Sequence, residues 1–202
     1  MKKSTLTFLG RDSGFGRENN SVYVKIDDKL VIIDCGFTVF EKLKEKLKLE
    51  EYKEIDVIIT HLHNDHAGSL SQLILYLYFI YNKKVNVISK CEKIKEYLEI
   101  TGTPEEAYTL QGEKEYVEII KTEHTKYLDA YGCKLTIKGK TIIYTGDTNT
   151  LEPYRPYLKS ADELYVDVSK FRRSAFKNRQ YHRRIKKRKK QWNRYLFNAY
   201  GW

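Results

Sequence analysis

The segment IDVIITHLHNDHAGS, residues 55–69, constrains this chain more than any other. Its first half is a short apolar run with β-branched Val57, Ile58 and Ile59, the pattern of a buried strand. A strand of that kind needs apolar cover, so sheets with helices laid over them are expected. Its second half is polar and places His61, His63, Asp65 and His66 within six residues, directly after the strand.

The rest of the chain repeats the alternation. TLTFLG, SVYVKI and KLVIIDCG read as strands, with a turn at IDDK between the last two. FEKLKEKLK has Phe40, Leu43 and Leu47 at helical spacing. An apolar helix is expected from about Gly68, then a strand VNVIS and a helix EKIKEYLEI. After a loop around Pro104 come strands YVEIIK, GCKLTIK and TIIYTGD, the last two a hairpin over KGK. A helical piece is expected after Pro153, and ELYVDV is the final strand. The fold class is therefore α/β or α+β, built from mixed sheets with outer helices.

Charge divides the chain. Of 37 Lys and Arg, 13 lie from Lys170 onward, where there is no Asp or Glu. The preceding residues carry 24 basic side chains against 27 acidic ones. The +10 net charge thus belongs to the tail, and a nucleic-acid-binding reading concerns the tail alone. Cys35, Cys91 and Cys133 are odd in number and widely spaced, which suits a reducing cytoplasm. The N-terminus lacks the apolar run of a signal peptide, and LILYLYFIY is too short to span a bilayer. No membrane partner is expected.

On an extended stretch His61 and His63 point the same way, because side chains alternate. The chain then turns, which lets Asp65 and His66 face the same space from the start of a helix. Imidazole and carboxylate together suit zinc and similar divalent ions. The plain alternative is a loop of surface histidines. Three of the five histidines falling here, beside an Asp and at a strand end, argue against it.

HLHNDH followed by AGS resembles the H-x-H-x-D-H motif of the metallo-β-lactamase fold superfamily. FLGRDSGFGRENNS is similar to the opening strand and loop of its ribonuclease Z and phosphodiesterase branch. VIIDCG, EHTKYLDAYGCKL and YTGDT resemble further segments of the superfamily. The resemblance implies a four-layer αβ/βα sandwich with two divalent ions at one sheet edge, zinc first and manganese or iron as alternatives. It implies that His61, His63 and His124 hold one ion, Asp65 and His66 the second, and Asp147 bridges both. Asp34 is expected near the metals. Read alone, His124 is an ordinary surface histidine and Asp147 a turn residue; only the flanking segments raise them.

Two ions about 3.5–4 Å apart lower the pKa of a bridging water and clamp a phosphoryl group. Asp65 is the candidate catalytic residue, orienting that water or accepting its proton. The expected function is a hydrolase using a metal-bridging hydroxide, acting on a small phosphodiester or RNA. Alternatives are an ester or thioester hydrolase, and an RNA-binding protein on an inactive hydrolase fold. The ribonuclease Z pattern places a His-Glu pair where this chain has Val166 and Asp167, so transfer-RNA processing is less favoured. A homodimer is compatible with the sequence.

Residues 1–169 are expected to form the hydrolase domain and residues 170–202 an aberrant basic tail. The superfamily closes its fold with a helix, a strand and a last metal-binding histidine, none evident here. AT-rich codons for residues 175–201, read one base forward, can encode an amphipathic helix, a strand and a histidine. A frameshift near Ser174 to Phe176 is therefore expected, with the closing helix-strand unit missing and no ligand from the tail, whose sole histidine is His182.

Overall fold

The computed structural model describes residues 4–168 and the backbone of a strand at Tyr195–Ala199. The chain divides into two compact units, Met1–Lys114 and Glu115–Trp202.

The first unit is a six-stranded mixed sheet. Strands β1 (Thr7–Gly10), β2 (Ser21–Ile26) and β3 (Lys29–Ile33) form an antiparallel meander. The β2–β3 turn is made by Asp27, which adopts φ 54°, a conformation Asp tolerates. Helix α1 (Val39–Lys46) buries Val39, Phe40 and Leu43 and leaves its charged residues outside. Strand β4 (Glu54–Ile58) runs parallel to β3. Leu30 to Ile33 and Ile55, Val57 and Ile58 are all buried, as expected of parallel strands covered on both faces. Each fully buried aliphatic side chain contributes about 1.5–3 kcal/mol.

A single helical turn, α2 (Asn64–Ala67), precedes helix α3 (Leu70–Tyr81). Leu70, Leu73, Ile74 and Leu77 are the buried stripe of α3. The helix stops at Asn82, whose left-handed φ of 50° lets the chain close back, with Asn82 N–H on Tyr78 O and Lys83 N–H on Leu77 O. Strand β5 (Val85–Ile88), helix α4 (Ile94–Ile100) and strand β6 (Tyr108–Gln111) complete the unit, both strands parallel to β4. Strand β6 falls where the sequence reading placed only a loop.

The second unit is a five-stranded mixed sheet. Strands β7 (Val117–Thr122), β8 (Ala130–Ile137) and β9 (Lys140–Tyr144) are antiparallel neighbours. The β8–β9 turn at Lys138 and Gly139 has φ 51° and 74°, the signature of a tight two-residue hairpin. The piece expected to be helical after Pro153 is a short 3₁₀ turn, Glu152–Tyr154. Strand β10 (Glu163–Val168) lies parallel to β9. Ile120, Ile143, Leu151, Tyr154, Leu164 and Val166 form a core cluster in this unit.

The expectation that this sheet lacks its closing strand is corrected. Strand β11 (Tyr195–Ala199) pairs parallel with β10, from Leu164 opposite Tyr195 to Val168 opposite Ala199. An outer edge of unpaired backbone groups on β10 recruits such a run, and Tyr, Leu and Phe favour strand. The expected missing helix, the frameshift junction and His182 lie outside the described residues.

Candidate metal centre

The ligand-type residues of the first unit follow the carboxyl ends of two adjacent parallel strands. Asp34 follows β3, and residues 59–66 follow β4. In open parallel sheets this is where binding loops collect. The backbone ladder continues past both strand ends, since Asp34 N–H donates to Ile58 O at 2.8 Å and Ile59 N–H to Ile88 O at 3.0 Å.

Asp34 is fully buried and takes a left-handed φ of 65°. Its carboxylate accepts the Thr60 N–H and the Thr60 hydroxyl at 2.9 Å, and His66 Nδ1–H at 2.8 Å. Burial pushes this carboxyl up from its ordinary range, while the His66 and Thr60 bonds pull against that. Because the Thr60 proton points at Asp34, its oxygen is the acceptor for His61 Nδ1 at 3.1 Å. One carboxylate and one hydroxyl therefore fix both buried imidazoles as Nδ1–H tautomers. Their Nε2 lone pairs are left to face a ligand.

The surroundings of those lone pairs test whether a cation fits. His61 Nε2 lies 2.9 Å from His63 Nδ1, and the two rings stand nearly perpendicular at 78°. His66 Nε2 lies 3.3 Å from Asp65 Oδ2. His63 Nδ1–H can donate to His61 Nε2, but the His66 Nε2 lone pair facing the Asp65 carboxylate is reconciled by a cation. The set of imidazoles and a carboxylate has the chemistry of a zinc-type site. The residues present fit divalent metal.

His63 is the extended residue that starts α2, and Asp65 and His66 lie in its one turn. Two glycines let the chain close on that turn. A Cβ on Gly36 would fall 1.9 Å from Asp65 O, and one on Gly14 would fall 2.9 Å from Asp65 Cγ. Cys35, between Asp34 and Gly36, donates its N–H to His66 O at 2.6 Å. Its thiol is buried and pushed up to about 12, so it stays protonated.

His124 and Asp147 belong to the second unit. They follow β7 and β9, which are both antiparallel to β8 and so end at the same edge of their sheet. His124 Nε2 lies 3.5 Å from Asp147 Oδ2, and both side chains are about one-fifth exposed, at 21% and 20%. Asn149 binds the two loops together through its N–H to Glu123 O at 2.7 Å and its side chain to His124 O. Gly146, at φ 57°, makes the turn that presents Asp147.

Within each unit, then, the sequence-predicted residues come together: His61, His63, Asp65 and His66 in the first, His124 and Asp147 in the second. Sequence reasoning placed Asp34 near them and missed Thr60, Gly14 and Gly36. The Thr directly before HLH was the one visible signal.

Known proteins resemble this chain in part. A family model described as Anti-Pycsar protein Apyc1 matches residues 4–98. Anti-Pycsar protein Apyc1 of Paenibacillus harenae is 34% identical over 82 residues, covering 39% of this chain and 33% of that protein. The Apyc1 of Bacillus phage 010DV004 is 26% identical over 176 residues, covering 71% of this chain and 68% of that protein. The first match thus spans only about a third of the relative's length.

Among solved structures, the metallo-β-lactamase fold protein YhfI from Bacillus subtilis has a TM-score of 0.69 at 19% identity, covering 81% of this chain and 70% of its own. A diphosphatase from the PhnP family has a TM-score of 0.69 at 19% identity, covering 95% and 85%. Human tRNase Z, short form, has a TM-score of 0.64 at 18% identity, covering 81% and 78%. The chain has the metallo-β-lactamase fold.

Proposed function

We propose that this metallo-hydrolase of the metallo-β-lactamase fold cleaves phosphodiester bonds in small molecules. The observation that carries the reading is the Asp34–Thr60 pair, which sets His61 and His66 as Nδ1–H tautomers with their Nε2 atoms available as ligands. We assign His61, His63, Asp65 and His66 of the first unit, and His124 and Asp147 of the second, to the binding of divalent metal. Zinc is the first candidate, manganese or iron the alternatives.

Bound divalent ions supply Lewis acidity, lowering the pKa of a water and polarising phosphoryl oxygens. The chain's own residues do the rest. Asp34 and Thr60 hold the imidazole rings in register, so that little reorganisation is needed when substrate arrives. Asp65 is assigned to orient the attacking water and accept its proton through a carboxylate oxygen. Gly14 and Gly36 allow the chain to pack against Asp65, which fixes that carboxylate's position.

A diphosphatase and a tRNase Z among the structural neighbours support a phosphorus electrophile. The residues before Lys170, with 24 basic against 27 acidic side chains, do not form a polyanion-attracting body, which favours a small substrate. The test is a panel for metal-loaded protein: bis(p-nitrophenyl) phosphate, cyclic nucleotides, a transfer-RNA precursor, nitrocefin and a thioester. Turnover of the first two, lost in Asp65→Asn, is the expected result. Turnover of nitrocefin or the thioester alone refutes the reading and installs the carbonyl hydrolase. Turnover confined to the RNA restores the transfer-RNA alternative.

A further inference from the structure

His124 and Asp147 follow β7 and β9, and β8 lies between those two strands in the sheet. No ladder bond therefore runs from one strand to the other, and something else must set how far apart their ends stand. Asn149 ties the two loops on the outside. Tyr154 ties them from the buried side. Its ring belongs to the apolar cluster of Ile120, Ile143, Leu151, Leu164 and Val166, and the residue is fully buried. A hydroxyl in such a place must find partners.

The partners it finds are the two strand ends. Tyr154 Oη–H donates to Thr145 O at 2.9 Å, and the Thr122 side chain is within hydrogen-bonding reach of the same hydroxyl. Thr122 is the last residue of β7, two before His124, and Thr145 follows β9, two before Asp147. Thr122 Oγ1 also lies 2.5 Å from Oγ1 of Thr148, the residue after Asp147. The Thr148 hydroxyl in turn donates to Thr150 O at 2.7 Å. Asp147 is thus held on both sides by a chain of hydroxyls that reaches back to the strand carrying His124. Burial pushes the Tyr154 phenol up, so it stays protonated and keeps its donor.

Gly132, inside β8, makes room for this node. A Cβ there would fall 2.4 Å from Tyr154 Oη, 2.5 Å from Tyr144 O and 2.7 Å from Thr145 O. Glycine weakens a strand interior and marks the close approach of another group, here the phenol oxygen.

We infer that the Tyr154 hydroxyl is a positioning group, which sets the spacing of His124 and Asp147 and through them the hold on divalent metal in the second unit. The inference rests on the assignment of those two residues to metal and adds to it a residue that touches no ion. The plain alternative is a ring that fills the core, for which Phe serves as well.

The experiment measures zinc affinity by competitive chelator titration, and thermal unfolding of the metal-free protein, for wild type, Tyr154→Phe and Tyr165→Phe. Tyr165 is the matched control: it is equally buried, and its hydroxyl donates to Glu163 Oε2 at 2.8 Å, at the start of β10. Both variants lose one buried hydroxyl and should lower the metal-free Tm. Only Tyr154→Phe should weaken zinc, by about tenfold, the low end of what groups behind the ligands contribute. Thr122→Val, which removes the hydroxyl next along the chain and keeps the shape, should act in the same sense. In a His124→Ala, Asp147→Ala background, Tyr154→Phe should cause no further loss. Wild-type affinity in Tyr154→Phe and Thr122→Val, where His124→Ala with Asp147→Ala weakens zinc, overturns the inference and leaves the metal reading standing. An equal loss in Tyr165→Phe, or a further loss in the background without the two ligands, means general softening of the sheet and also overturns it. Wild-type affinity in His124→Ala with Asp147→Ala removes the metal reading of the second unit, and the inference falls with it.

Discussion

Gly36→Ala offers a direct test of how the first ligand cluster is built. The added Cβ would sit 1.9 Å from the Asp65 carbonyl oxygen and 2.4 Å from its carbon, whereas ordinary contact begins at 3.4 Å. The backbone of Asp65 must therefore retreat by about 1.5 Å, the difference between 3.4 and 1.9 Å. Asn19 Cβ, 2.9 Å from the same point, blocks an escape by Gly36 on that side. That movement carries Asp65 and His66 with it and stretches the 2.6 Å bond from Cys35 N–H to His66 O. Ligands need placement to about 0.5 Å. Disturbing even the groups behind the ligands weakens metal about 10–100-fold, and here the ligands themselves move. We expect a loss of about 100-fold, about 2.8 kcal/mol. The assay is competitive chelator titration with thermal unfolding run in parallel. Two further variants give the scale. Gly112→Ala meets nothing nearer than Lys90 Cε at 3.7 Å and should be neutral. Gly14→Ala meets only the Asp65 side chain, at 2.9 to 3.2 Å, and should fall between. Wild-type metal affinity in folded Gly36→Ala, or any other ordering of the three, refutes the reasoning.

Four other outcomes are expected. Asp34→Asn leaves one amide oxygen where two carboxylate oxygens served Thr60 and His66, so metal should bind about 10–100-fold more weakly by the same titration. His63→Ala combined with Asp65→Ala should strip most of the metal, read by elemental analysis of purified protein. Chelating the metal should lower Tm by about 5 °C or more, since ligand at 100 times Kd contributes about 2.7 kcal/mol. The coding DNA, read one base forward from about Ser174, should encode a helix, a strand and a histidine; a sequence that cannot be read so refutes the frameshift.

Much of this architecture is legible in the sequence because periodicity and burial agree. SVYVKI and ELYVDV give their strands to the residue, since turn residues bound them. The stripe in α3 is plain because Leu70, Leu73, Ile74 and Leu77 recur at helical spacing. Strand β6 is hidden because only Tyr108 of its four residues is buried, which leaves no alternation to see. β11 is hidden for a different reason: its partner, the edge of β10, exists only in the folded sheet. At the candidate site HLHNDH announces its own chemistry, but Thr60 looks like any strand-end threonine until its hydroxyl is seen between Asp34 and His61. The need for glycine at 14 and 36 comes from chain crossings that no local pattern encodes. His124 and Asp147 carry no local signal either, and were legible only through flanking segments resembling a family.

The hydrogen-bond ladder that runs on past β3 and β4 bears on time rather than shape. The amides of Asp34, Cys35, Ile59, Thr60 and His66 all have acceptors, at 2.8, 2.6, 3.0, 2.9 and 2.9 Å. To let go of any of them the chain must open the sheet's end or unseat α2, so these loops share the fate of the strands and not that of ordinary surface loops. Hydrogen exchange there should be as slow as in β3 and β4, with or without metal. An ion arriving at such a place would meet side chains carried on backbone that already stands still.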